Sequence, residues 1–215
     1  MANDSLAAIR IPVVRRFAAG RILSALGAQM LSVAVGWHLY ERTNSAWALG
    51  MVGLVQIVPV VFLALPSGQA ADRYPRRLMA MVAHGTLAAC AAGLALVTFV
   101  DGPTWLIYCL LFATGIGTSL RSPSVGSMLP QLVPPELFAN ANAWITSGFQ
   151  LASMAGPALG GFIIAWSGGP KWTYVIAAAG HLLFVGVLAT LPTVHTKQEP
   201  GKRANNWRDA LAGAK

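Results

Sequence analysis

Six apolar runs alternate with polar breaks along the 215 residues, and each run is close to the length that a bilayer demands. They cover residues 17–40, 46–69, 78–100, 105–124, 139–166 and 172–191, cut wherever charge, proline or turn residues interrupt them. About 20 residues rising ~1.5 Å each span a hydrocarbon core, so every run predicts one crossing. Each crossing must be a helix, because an open strand edge leaves backbone groups unsatisfied in lipid. The breaks near residues 41, 101 and 168 are a few residues long, which forces the flanking helices to pack antiparallel. The expected fold class is an all-α membrane protein. Residues 1–16 read as an N-terminal segment and 17–191 as a six-helix transmembrane bundle. Residues 192–215, rich in Lys, Gln, Glu, Asn and Gly, read as a basic tail with too little apolar surface to fold alone.

Composition agrees with this pattern: 55% of the residues are hydrophobic and 10% charged, too few charges to clothe a water-soluble surface. A net charge of +8 would ordinarily raise nucleic-acid binding, but the cations sit at the ends of apolar runs rather than along one face. Their distribution instead orients the chain. One side of the alternation holds Arg10, Arg15, Arg16, Arg21, Arg73, Arg76, Arg77, Arg121, Lys197, Lys202, Arg203, Arg208 and Lys215; the other holds Arg42 and Lys171. Positive loops stay in the cytoplasm, so both termini are expected there, in a multi-pass protein of the cell membrane. Trp37, Trp47, Trp105, Trp166 and Trp172 fall at the opposite ends of the runs, where indole rings prefer the headgroup zone. The basic residues before the first run resemble a signal peptide, but that run is too long and five more follow, so it reads as a retained span. Cys90 and Cys109 lie inside apolar runs without ligand spacing and suggest neither a disulfide framework nor a metal site.

The break between the second and third runs is the most specific stretch: Gly68, Gln69, Ala70, Ala71, Asp72, Arg73, Tyr74, Pro75, Arg76, Arg77. Loop charge bias accounts for the arginines, but not for Gly68 and Asp72 at this spacing. The pattern G-x-x-x-D-R-x-P-R-R resembles the signature of the major facilitator superfamily, whose usual form has Gly or Pro at the eighth position. The resemblance implies a bundle of two inverted three-helix repeats. It also implies that Asp72 meets a helix start in a second bundle while the arginines form a charge network beside it, a switch between conformations. A helix N-terminus attracts an anion, so that role is physically sound.

Gly156, Pro157, Gly160 and Gly161 stand together inside the fifth run. Proline removes a backbone hydrogen bond and bends a helix, and glycines let a neighbour pack closely. The run resembles the G-P-x-x-G-G core of the superfamily's antiporter motif, which implies export, although Ala152 and Ala143 stand where upstream glycines are expected. Simple small-residue packing remains the other reading. Segments around residues 29–40, 129–136 and 140–142 look like the enterobactin-exporter and macrolide-efflux branch, the transmembrane secretion effectors, and the likeness extends over nearly the whole chain.

Arg121, near the end of the fourth run, needs a partner at that depth, and a charge network with Glu136 and Asp72 is one account. An anionic-substrate contact or a proton relay is the other. Gln29 and Gln150 sit mid-run and are candidates to line a substrate path. His38, His84 and His181 have no carboxylate at helical spacing and read as packed side chains. No Asp or Glu lies in the middle of a run, so any proton coupling would need a carboxylate elsewhere or would fall to Arg121 and its partners.

No phosphate-binding loop and no nucleophile–base or metal-ligand constellation is present, so neither an enzyme nor a cofactor is expected. The resemblance implies a secondary exporter of small amphipathic molecules working by alternating access. Its expected partners are the bilayer, a small-molecule substrate and a second six-helix bundle, from a homodimer or from a C-terminal half; nucleic acid is not among them. A half-transporter without transport of its own, and an importer, stay open as alternatives.

Overall fold

The computed structural model describes residues 6–191, apart from the side chain of Asp72. The tail 192–215 and the first five residues lie outside the described residues, as does the side-chain role expected of Asp72. The chain is a series of helices: α1 Pro12–Thr43, α2 Ala46–Arg73, α3 Arg76–Phe99, α4 Thr104–Gly126, a single turn α5 Leu129–Leu132, a 3-10 turn Pro135–Leu137, α6 Phe138–Ser167 and α7 Lys171–Thr190. Their limits follow local chemistry. Pro12 opens α1 at a position whose N–H would be unpaired in any case, and Asn44 closes it in the left-handed region with its N–H on the Tyr40 carbonyl. Gly168, at φ 70°, ends α6 in the same way.

Each of the six apolar runs becomes one long helix. Five of these, α1, α2, α3, α6 and α7, are long and apolar enough to cross a membrane. Helix α4 differs: at 23 residues it reaches about 35 Å, but Thr114, Thr118, Ser119, Arg121, Ser122 and Ser124 dilute its apolar character. Four of those hydroxyls are paired within the helix itself. Thr114, Thr118, Ser119 and Ser124 each donate to a carbonyl three or four residues back along α4.

The helices pack in the spatial order α2, α4, α3, α7, α1, α6, each extensively against the next. This order is symmetric. Exchanging α1, α2 and α3 for α4, α6 and α7 turns the α1–α6 packing into α4–α2, α1–α7 into α4–α3, and α3–α7 into itself. Helices α2 and α6 therefore occupy equivalent flanks, and both leave large apolar side chains outside, among them Phe62, Leu65, Met154 and Phe162.

Two apolar cores fill the interior. One gathers Val14, Phe17, Val125, Leu129, Ile145, Phe184 and Leu188; the other gathers Val35, Leu39, Leu94, Ile107, Leu111, Ile164 and Tyr174. Along α1, α3, α4 and α7 the residues between these cores include Arg21, Ser24, His84, Ser119, Arg121 and His181. A polar layer thus crosses the bundle between two apolar ones.

Contacts at the two ends identify which connections lie together. At one end Arg42 donates to the Gly102 carbonyl and lies 3.4 Å from Asp101, Tyr108 donates to the Ala48 carbonyl at 3.1 Å, and the Lys171 ammonium sits 5.6 Å from the centre of the Phe99 ring. Trp47, Trp105, Trp166 and Trp172 are exposed at this same end. At the other end, the Ala8 N–H donates to Asn140 Oδ1 at 3.3 Å.

Candidate functional site

The break at residues 68–77 joins α2 to α3, with Pro75 immediately before the first helical residue of α3. Its last two arginines reach across the bundle end. Arg76 Nη1 donates to the Ser127 carbonyl at 3.0 Å, beside the end of α4. Arg77 Nη1 donates to the Leu191 carbonyl at 2.7 Å and its Nη2 to the Ala189 carbonyl, at the end of α7. Helix C-termini carry unpaired carbonyls and partial negative charge, so two guanidiniums here tie α3 to both of its neighbours. Replacing Arg77 by Ala removes two charge-assisted bonds and is expected to cost about 1.5–3 kcal/mol. Thermal unfolding in detergent measures this, with exposed Arg15→Ala as a comparison expected to stay within about 0.5 kcal/mol.

Arg73 is exposed at the end of α2, and Gly68 has open space beside it: a Cβ there would meet no atom within 4 Å among the described residues. No helix of the described residues therefore packs closely against Gly68. Within α6, by contrast, the glycines divide. A Cβ at Gly156 would lie 2.5 Å from Gln29 Cβ, and one at Gly160 would lie 3.1 Å from the Met30 carbonyl oxygen, so both admit α1. Gly161 faces open space. Helix α6 runs through Pro157 without interruption. Gln29 is thus half-buried against Gly156 at the α1–α6 crossing, while Gln150 is exposed on α6.

The polar layer opens into a cavity of about 180 Å³ between α1 and α4. Arg21, Ser24 and Ala25 of α1, Arg121 of α4 and His84 of α3 line it, with Ile22, Val125, Ile145 and Phe149 as apolar walls. No carboxylate lines it among the described residues. Arg121 and Glu136, expected to share a charge network, are not brought together: Glu136 is exposed in the 3-10 turn, and Arg121 makes no ion pair among the described residues. Arg121 Nε is buried without a hydrogen-bond partner.

His38, His84 and His181 are buried, as packing requires, but two of them meet in a way that sequence reasoning missed. His84 Nδ1 and His181 Nδ1 lie 3.1 Å apart, so one ring must donate to the other. Phe184 stands edge-on to His84 with ring centres 4.6 Å apart. His38 Nδ1 lies 3.1 Å from the Tyr174 hydroxyl in the other core. Arg21 was also missed as a site residue, since it counts equally well among the orienting charges; its place inside the first apolar run was the available signal.

Comparison with known proteins bears on what such a bundle does. Residues 3–208 match the family model for transmembrane secretion effectors. The chain is 31% identical over 202 residues to the enterobactin exporter EntS of Salmonella paratyphi A, covering 94% of this chain and 48% of that protein. It is 30% identical over 203 residues to EntS of Escherichia coli O9:H4, covering 94% and 48% respectively. Against EntS of Salmonella typhimurium it is 30% identical over 190 residues, covering 88% and 46%. The chain thus spans about half the length of these relatives. No solved structure matches it. From the match over residues 3–208, together with the signature at residues 68–77, the chain belongs to the transmembrane secretion effector family of the major facilitator superfamily.

Proposed function

We propose that this chain crosses the cell membrane six times, α4 included, with both termini in the cytoplasm, and forms one bundle of an exporter of small amphipathic molecules. The bundle works by alternating access against a second six-helix bundle. Relatives named as enterobactin exporters suggest a siderophore-like cargo and the outward direction. The observation that carries the mechanism is the position of the cavity. It lies between α1 and α4, the two helices that the packing symmetry exchanges, where the polar layer meets the apolar core that holds Val125 and Ile145. Transporter sites form where repeats meet, and the exchange of α1–α3 for α4, α6 and α7 supports reading the bundle as two inverted repeats.

Enterobactin flux in proteoliposomes made from the purified chain tests the reading. Flux that rises with the square of chain density marks two copies acting as the halves of one carrier. Linear dependence from chain that stays monomeric at every density marks a bundle acting alone and contradicts the two-bundle mechanism. A monomer without flux at any density removes self-pairing and leaves a second, different bundle as the requirement.

A further inference from the structure

We infer that the cavity between α1 and α4 is an anion site, built for an acidic group carried on a single aromatic ring. Arg21 and Arg121 both line one partly open cavity, with no carboxylate lining it among the described residues. Like charges in a medium of low polarity repel strongly, and an anion between them turns that repulsion into two attractions. The hydrogen-bonding deficit points the same way. Arg121 Nε and His84 Nε2 are both buried without partners, and both residues line the cavity. When His181 Nδ1 carries the proton shared across the 3.1 Å contact, His84 Nδ1 accepts it and His84 Nε2 holds the ring's remaining hydrogen. Arg121 Nε–H and His84 Nε2–H are then two donors left without acceptors on residues that line the cavity, and an oxyanion that draws the two side chains toward it supplies what both lack. Binding selects that tautomer.

Size and lining set the rest of the ligand. The cavity measures about 180 Å³, a little more than the roughly 150 Å³ that encloses a benzene ring. Ile22, Val125, Ile145 and Phe149 supply apolar walls for such a ring, while Ser24 adds a hydroxyl. Ser122, Gly126 and Phe149 are exposed, so the rim is open and a larger molecule enters with one acidic arm. The site deepens the exporter reading only in making this anion part of the cargo; binding itself is measured without transport, so the two ideas fail separately.

The test is calorimetric titration of the purified chain in neutral detergent at low salt, with salicylate, benzamide and inorganic phosphate as probes and with anionic phosphatidylglycerol added in a parallel series. Salicylate is expected to bind, benzamide is not, and Arg121→Gln or Arg21→Gln should each weaken salicylate binding by about tenfold or more. Arg121→Lys, which keeps the charge and loses the Nε donor, should fall between. Melting of each variant shows that it is folded, and Arg121→Lys keeps the test decisive where the glutamine variant does not fold. Equal affinity for salicylate and benzamide, or unchanged affinity in both glutamine variants, overturns the proposal. Phosphate or phosphatidylglycerol binding that depends on both arginines while salicylate does not bind overturns the aromatic-acid assignment and makes the cavity a phosphate or headgroup site.

Discussion

Gly115→Ala is expected to destabilise the bundle by about 3 kcal/mol or more, at or beyond the upper end of the usual cost of overpacking, although it adds a single methyl group. A Cβ at that position would overlap both the carbonyl oxygen of Gln56 and the ring of Pro59 on α2. Neither can yield. One is backbone, and the other is a ring locked to backbone, so α2 must move away from α4 as a body. Helix α2 makes few contacts with α1 and α3, and its apolar side chains face outward, so losing the α4 seam removes most of what holds it. Gly161→Ala is the matched comparison, because a Cβ there meets nothing within 4 Å. It should be neutral or gain up to about 1 kcal/mol from helix propensity. Thermal unfolding of both variants in one detergent decides: equal midpoints would show that the α2–α4 seam is not as close as described.

The same seam shows where sequence reading reaches its limit. Run lengths locate all the long helices, because a bilayer fixes their span and turn residues punctuate them: Pro12, Asn44, Pro103 and Gly168 sit at helix limits. The signature at residues 68–77 is legible because its residues are contiguous. What stays hidden is which faces meet. In a water-soluble helix the apolar stripe marks the buried side, but a helix apolar all round offers no such mark. His84 and His181 stand 97 residues apart, and nothing in either helix announces that they touch. Arg21 is equally ambiguous in sequence, since one cation both orients a loop and lines a cavity. The short turn α5 goes unseen for a different reason: four residues bounded by Met128 and Val133 carry no period to read. The glycines of α6 look alike in sequence, yet Gly156 and Gly160 admit α1 and Gly161 does not, which only the rotation of α6 about its axis decides.

Gly68, like Gly161, is a glycine at which an added Cβ meets nothing within 4 Å among the described residues. Gly68→Leu is expected to leave the melting of the isolated chain unchanged, because a side chain at Gly68 enters open space. It is nevertheless expected to reduce enterobactin flux by at least tenfold, which corresponds to about 1.4 kcal/mol of lost stabilisation of one conformational state. The reason is that alternating access needs two bundles to close on each other at one side of the membrane. Under the proposed mechanism, a glycine four residues before Asp72, where an added Cβ meets nothing among the described residues, would be the place at which a partner's helix gains close approach. Asp72→Asn keeps the shape and removes the charge. A charge at a helix N-terminus is worth up to about 2 kcal/mol in partly buried settings, so this variant should lose flux to a similar degree. Flux and melting together separate the outcomes. Lost flux with unchanged melting places the contact outside this bundle, as alternating access requires. Lowered melting of Gly68→Leu would mean that Gly68 packs internally after all, and unchanged flux in both variants would show that the loop orients the chain without switching it.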